Sequence, residues 1–389
     1  MKNGVVLILL ILTVNVGFCR SYFVHNEAEF NQSAKLLRPG DTIVIANGFY
    51  EPWAVVVNKS ATALSPITIT SESPGKVVFS GKVTKPVFKI SGSYITLAGI
   101  VFSKCSIAKD YKQTGLLIAL SAANNCRITG CEFSENEALS QYLPIVIVSG
   151  NGARNKIDSC TFKSNINNQD IQVKITSSTS PTNTIIENNI FKDKKKVTWL
   201  EVNGGECIQI GQNSVVLGGI KSYTTVSGNK FVRCNGEAEI ISNKSSNNTY
   251  IKNSFEDCNG ELVMRGGNDC IIDGNLISRG KCGIRVSGTG HQIINNQINN
   301  VNVGIRLLYG MAHGRKAIGF YVAATQCVVK YNKFENVTTG ILTGDRKNMD
   351  WADKFDVKVY PSRTKQDVSP KQNTISNNTF TNVKVNVVN

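Results

Sequence analysis

Histidine is nearly missing: 3 of 389 residues, too few for a His-rich zinc centre. No pair of cysteines has the tight spacing of a zinc-ligand pair either. Acidic side chains are in deficit, 28 against 43 Lys and Arg, for a formal net charge of +15. Such a surface suits an anionic partner, and nucleic acid, acidic lipid and acidic polysaccharide all qualify. Basic residues are not interleaved with aromatics, which argues against nucleic acid. Past the N-terminus no apolar run is long enough to cross a bilayer. Only 18% of residues are charged while 41% are hydrophobic, so the chain can bury a large core.

Residues 1–19 read as a secretory leader. Lys2 supplies the positive end, Val5 to Val14 the apolar run, and Gly17-Phe18-Cys19 a small-x-small cleavage site before Arg20. The expectation is therefore an extracellular or periplasmic protein whose mature part, residues 20–389, forms one domain. Of the 11 cysteines, loss of Cys19 leaves an even number, which permits disulfides without fixing their pairing.

One pattern recurs along the chain: a β-rich run, a polar pair often containing Asn, then an aromatic or aliphatic residue. It reads Ile128-Thr-Gly-Cys-Glu-Phe133, Ile157-Asp-Ser-Cys-Thr-Phe162 and Ile186-Glu-Asn-Asn-Ile-Phe191, and continues to Phe231, Phe255, Ile277, Ile298, Phe334 and Phe380. Short strands repeating at roughly 20–30 residues indicate stacked repeats. The runs alternate apolar and polar and are rich in Val, Ile and Thr, which excludes helical repeats. The predicted fold is all-β: a single right-handed parallel β-helix. Asn suits its corners because it tolerates left-handed backbone angles and can bond its counterpart in the next coil. Cys234 and Cys258 fall in adjacent coils, within disulfide range; a column of buried thiols is the alternative. Asn26 to Leu37 reads as a short capping helix over the first coil, with an N-cap Asn and early acids. Gln212 to Tyr223, Tyr309 to Phe320 and Asp345 to Gln372 read as loops leaving the coil.

Stacking brings charges together. Asn235-Gly-Glu-Ala-Glu-Ile-Ile-Ser-Asn-Lys244 is followed by the near-copy Asn259-Gly-Glu-Leu-Val-Met-Arg265. Counted from each repeat residue, Glu237, Glu239, Arg265, Arg285 and Arg306 all lie at even offsets, so one outer face should carry them. Lys244 follows where the strand turns. Two acids beside an arginine column suit a hard cation such as Ca²⁺; a solvated Glu–Arg ladder is the plain alternative.

Several ordered blocks carry a resemblance. Gly236-Glu-Ala-Glu-Ile-Ile-Ser-Asn-Lys-Ser245, Leu262-Val-Met-Arg265 with Gly267-Asn268, and Asn203-Gly-Gly-Glu-Cys-Ile-Gln-Ile-Gly211 resemble polysaccharide lyase family six. So do Pro39-Gly-Asp-Thr-Ile-Val-Ile-Ala-Asn-Gly48 and Gly283-Ile-Arg-Val-Ser-Gly288. That family comprises chondroitinase B and related alginate lyases. The resemblance implies β-elimination from a uronic-acid polymer, with a bound cation neutralising the sugar carboxylate. It implies Ca²⁺ held by Asn203, Glu237 and Glu239, with Glu206 a rival ligand or substrate contact. Lys244 would be the base and Arg265 the group that stabilises charge or protonates the leaving oxygen. A free lysine titrates near about 10.4, so the base role calls for positive charge close by, which Ca²⁺ and Arg265 would provide. Arg285 and Arg306 would grip carboxylates or sulfates of neighbouring sugars, and Trp351 and Tyr309 are loop aromatics that could stack on sugar faces.

The match departs at Gly266, where the family usually has a histidine near the cleaved bond. The sequon at Asn243 would place a glycan against Lys244, which argues that it is unused or that the source is bacterial. The leading expectation is a secreted, Ca²⁺-dependent lyase acting on alginate, with dermatan or chondroitin sulfate as the alternative. A glycosidase would need paired acids at the scissile bond, and a non-catalytic carbohydrate-binding solenoid is the reading from another class.

Overall fold

The computed structural model describes residues 19–110, 113–214, 217–311, 321–351 and 365–388. All but the last of the residues read as a leader therefore lie outside the described residues, as do parts of all three expected loops.

The described chain winds into coils of short strands, every strand pair parallel. Three ladders run its length. A flank ladder of 13 strands passes from Ser21–Val24 to Thr374–Ser376. A second ladder carries the repeat aromatics, and a third, the cleft ladder, carries the charged residues; the long strand Lys333–Asp345 pairs into both. This is the parallel β-helix expected.

The repeat residues stack as the register requires. Phe133 pairs with Phe162, Phe162 with Phe191, Phe191 with Phe231 and Phe231 with Phe255. Their rings lie face to face with centroids 4.6 Å apart at Phe133–Phe162 and 4.7 Å at Phe231–Phe255. That distance is the coil spacing, about 4.8 Å, so each ring fills one layer of the core.

Asparagines line the turn before this column. Asn229 Nδ2 donates to Asn253 Oδ1 at 3.0 Å, Asn253 to Asn275 at 3.0 Å, and Asn275 to Asn296 at 2.9 Å. Each also donates to a carbonyl of the preceding coil, so buried backbone groups at the corner find partners. The left-handed backbone angle expected of the ladder Asn sits one residue earlier, at Gly228, Lys252, Gly274 and Asn295. The ladder Asn itself is chosen for its amide.

Cys19, Cys105, Cys126, Cys131, Cys160, Cys207, Cys234, Cys258, Cys270 and Cys327 are free thiols, and all but Cys19 are buried. Cys234 and Cys258 do occupy adjacent coils, with the Cys234 N–H donating to the Cys258 sulfur at 3.3 Å. The thiol column is the reading that holds.

The first coil is closed by helix α1, Glu27–Leu36. The Asn26 side chain accepts from the Glu29 N–H, and Phe30 and Ala34 are buried beneath it. The Glu29 carboxylate accepts in turn from the His25 N–H and the Asn26 side chain, a reciprocal cap.

Candidate active site

The cleft ladder runs through Gln169–Val173, Ile208–Ile210, Glu239–Asn243, Glu261–Met264, Cys282–Val286 and Val303–Leu308. One outward row reads Gln172, Gln209, Ser242, Val263, Arg285, Arg306. Even offsets had put Glu239 in this row. It lies outside because it pairs with Glu261, two residues before Val263: Glu239 stands eight residues after Phe231 but Glu261 six after Phe255, and a bulge between Glu239 and Ile241 then shifts the register again. The bulge bends the strand and re-aims its acid.

Lys244 and Arg265 follow as the next row. The Lys244 N–H donates to Ile210 O at 2.7 Å and the Arg265 N–H to Asn243 O at 2.9 Å, so the two residues are neighbours on adjacent coils. Both line one cavity of about 310 Å³, together with Tyr142, Asn203, Gln209 and Ser214.

Beside it lie three carboxylates. Oxygens of Glu206, Glu237 and Glu239 all fall within 4.8 Å of one another. Glu206 is buried, accepts from Gln169 Nε2 at 2.9 Å and Gln209 Nε2 at 2.7 Å, and stands 3.8 Å from Lys244 Nζ. Glu237 accepts from the Gly204 N–H at 3.1 Å, which also donates to Asn203 Oδ1 at 2.9 Å. The four candidate cation ligands are thus gathered, Asn203 by the turn at Gly204 with its φ of +90°.

The charges in this cluster do not balance. Burial opposes ionisation of Glu239, but Arg265, Arg285 and Lys244 outweigh it and hold the carboxyl down at about 2. Glu237 goes the other way. Burial first, then the nearby Glu206 and Glu239, push it up to about 10. A carboxyl that keeps its proton because it is buried and two others crowd it is a place where a hard cation can substitute for that proton. The candidate ligands offer oxygen donors alone, a set that fits a hard cation such as Ca²⁺.

Arg265 Nη1 lies 3.4 Å from Glu239 Oε1, and its guanidinium sits 5.4 Å from the Tyr321 ring centroid. Burial would lower its pKa, but Glu239 more than compensates, and the guanidinium holds its proton more firmly than a free arginine.

Arg285 and Arg306 are placed differently from expectation. Both were to stand open to sugar carboxylates. Arg285 is only 3% exposed, bonded to Glu239 and 3.7 Å from Glu261; Arg306 bonds Glu261 through Nε at 2.9 Å and Asp345 at 2.8 Å. Their positive charge is already met by protein carboxylates: the bulge leaves Glu239 on the outer face, paired with Glu261. Glu261 was missed; its signal was the second Asn-Gly-Glu, the copy of the segment that supplies Glu237. Gln169, Gln172 and Gln209 were missed too, as polar residues in β-rich runs.

Trp351 packs on Tyr321, centroids 5.6 Å apart, and donates to Gln366; Tyr309 lies 5.9 Å from Lys347 Nζ. Asn243 is fully buried, donating to Ser245 O and Gly266 O, so the folded chain offers that sequon no room for a glycan. At Gly266 a Cβ would meet Ser214 Cβ at 2.6 Å. The loop after Gln212 thus fills the space that a larger side chain would need.

Among solved structures with this fold is a mannuronic acid specific polysaccharide family 6 lyase from human gut microbiota. It is 24% identical, with a TM-score of 0.78 over 95% of this chain and 82% of that one. A family 6 polysaccharide lyase from Pseudopedobacter saltans gives 23% identity and a TM-score of 0.75 over 94% and 85%. The alginate lyase AlyGC gives 24% and 0.73, covering 91% of this chain but 47% of its own. At such identities the likeness is one of fold. No curated protein sequence matches the chain. All three solved structures are polysaccharide lyases, enzymes that cut sugar chains by elimination. The sequence model of the Chondroitinase B family matches residues 24–388, and the chain belongs to that family.

Proposed function

We propose that this lyase is secreted and cleaves alginate by β-elimination, with Lys244 as base and Arg265 as the stabiliser of developing charge. The observation that carries the reading is the Lys244–Arg265 pair on adjacent coils, lining one cavity with the carboxylate cluster beside it. The unprotonated Lys244 amine takes the proton from the carbon next to the sugar carboxylate. The electron pair forms the new carbon–carbon double bond, the glycosidic C–O bond breaks, and the departing oxygen takes a proton from water. Arg265 stays charged throughout, so its part is electrostatic, and Glu239 and Tyr321 fix its orientation. Asn203, Glu237 and Glu239 would hold Ca²⁺, with Glu206 hydrogen-bonded behind them. A bound Ca²⁺ supplies positive charge against the sugar carboxylate, where negative charge builds in the transition state.

Arg285 and Arg306 act as positioning residues, locking Glu239 and Glu261. Dermatan or chondroitin sulfate is the second reading, favoured by the family to which the chain belongs. The test is the ultraviolet absorbance of unsaturated uronate on alginate and on dermatan sulfate, with and without chelator. A chelator-sensitive rise on alginate is expected. A rise on dermatan sulfate alone reverses the substrate choice, insensitivity to chelator removes the cation, and reducing ends without absorbance overturn elimination.

A further inference from the structure

The row that holds Lys244 and Arg265 continues toward the N-terminal coils. The Lys244 N–H donates to Ile210 O, the Gly211 N–H to Val173 O and the Lys174 N–H to Val148 O, which places Gly211 beside Lys244, Lys174 beside Gly211 and Ser149 beside Lys174. Ser149 and Ser121 extend the row. Lys174 is therefore two coils from Lys244, about 10 Å at the usual strand spacing. The neighbouring row, through Gln209 and Gln172, continues as Ile147, Ala119, Lys89 and Val56.

These two rows floor a second, larger cleft of about 570 Å³. Its floor is apolar: Ala119, Ile147 and Leu116 form a small cluster of their own on the outside of the coil. Lys85, Lys89 and Lys174 stand at its edges, all exposed. Among the described residues no carboxylate lines the cleft. Lys85 and Lys89 on one coil and Lys174 three coils further on, without acids among the lining residues to neutralise them, create a positive potential in a concave, partly apolar trough.

We propose that this cleft binds the part of the same acidic polysaccharide strand that runs beyond the bond being cut. Lys85, Lys89 and Lys174 take its carboxylates, while Ala119, Ile147 and Val56 take the apolar faces of its sugar rings. The inference rests on the lyase reading above, and on the register that makes the two clefts one continuous track.

The test compares substrate lengths. Lys85, Lys89 and Lys174 are replaced together by Ala in the full chain, and elimination is followed on long polymer and on the shortest oligomer cleaved. KM for the long polymer is expected to rise about tenfold, the combined effect of three exposed charge contacts, with kcat unchanged. KM for the short oligomer stays where it was, and the difference shrinks at high salt. Equal change at both lengths, or none at either, overturns the proposal. Retardation by immobilised alginate, measured on Lys244→Ala with and without the three substitutions, reads binding without turnover. If Lys244→Ala remains active, the base assignment fails while the length effect can still be read.

Discussion

Two stretches of one sheet face handle charge in opposite ways. From Val56 to Lys174 the cations stand exposed beside an apolar floor, with no acid among the lining residues. From Glu206 to Arg306 every cation of the row meets a carboxylate, and most of these groups are buried. The backbone is the same parallel ladder throughout. What differs is mobility and cost: an exposed lysine can follow a passing polymer, whereas a buried charge persists only if a partner holds it. Binding tolerates the first arrangement. Chemistry at one carbon atom needs the second, because the reacting groups must be held in place.

The most severe way to test the contrast is to remove the proposed base. Lys244→Ala should lower kcat by about a thousandfold, within the range for loss of a general base, while the protein still binds polymer. Lys174→Ala, two coils away in the same row, should leave kcat alone. A loss of similar size in both variants would dissolve the distinction between the two stretches.

Next in size is a stability effect. Glu261 bonds Arg306 and lies 3.7 Å from Arg285, so Glu261→Ala leaves two largely buried guanidiniums short of a partner. Breaking such a pair costs about 3–5 kcal/mol, and the urea midpoint should fall accordingly. Lys89→Ala, by contrast, should shift it by less than about 0.5 kcal/mol. A Glu261→Ala protein as stable as the parent would mean that the Arg–Glu lattice is not what fixes the catalytic coils.

The helix, the stacked aromatics and the clustering of Glu237 with Glu239 were legible in the sequence because each is local or strictly periodic. Asn26 and Glu29 cap α1 within one turn, and Phe231 and Phe255 recur in step. The register at Glu239 was not legible. The run from Phe231 to Glu239 is two residues longer than that from Phe255 to Glu261, and a bulge adds one more residue after it, so counting from Phe231 gave a row that the observed pairing shifts. That error hid Glu261 and left Arg285 and Arg306 as free hands when both are already held. The apolar trough was hidden for a different reason: Val56, Ala119 and Ile147 are ordinary strand residues until stacking aligns them.

A third effect depends on pH and separates burial from pairing. His291 is fully buried; the Cys270 N–H donates to its Nδ1 at 3.2 Å, so Nε2 carries the hydrogen that meets Ser287 O at 3.1 Å. Burial pulls this imidazole down to about 4 from 6.5. Between those values the unfolded chain binds a proton that the native state refuses. Stability is then complete above pH 6.5 and declines as pH falls toward 4, by on the order of 3 kcal/mol. Asn373 serves the Cys327 N–H in the equivalent place, so His291→Asn should fold and lose that part of the acid slope. An unchanged slope would assign the acid sensitivity to other groups.

The smallest effect bears on how the catalytic stretch is walled. Gly266 has Ser214 against it, with a Cβ-to-Cβ distance of 2.6 Å if a side chain were added. Gly266→Ala forces either the loop or the strand to give, at about 1–3 kcal/mol for such overpacking. Because the Gly266 carbonyl accepts from the fully buried Asn243 side chain at 2.8 Å, the backbone at Gly266 is held and Ser214 should yield. Ser214 lines the cavity with Lys244 and Arg265, so its displacement should change KM for alginate more than it changes the urea midpoint. Ser214→Gly in the same chain removes the clash and should restore the midpoint while leaving KM altered. If both quantities return together, Ser214 is packing alone, and the wall of the active site lies elsewhere.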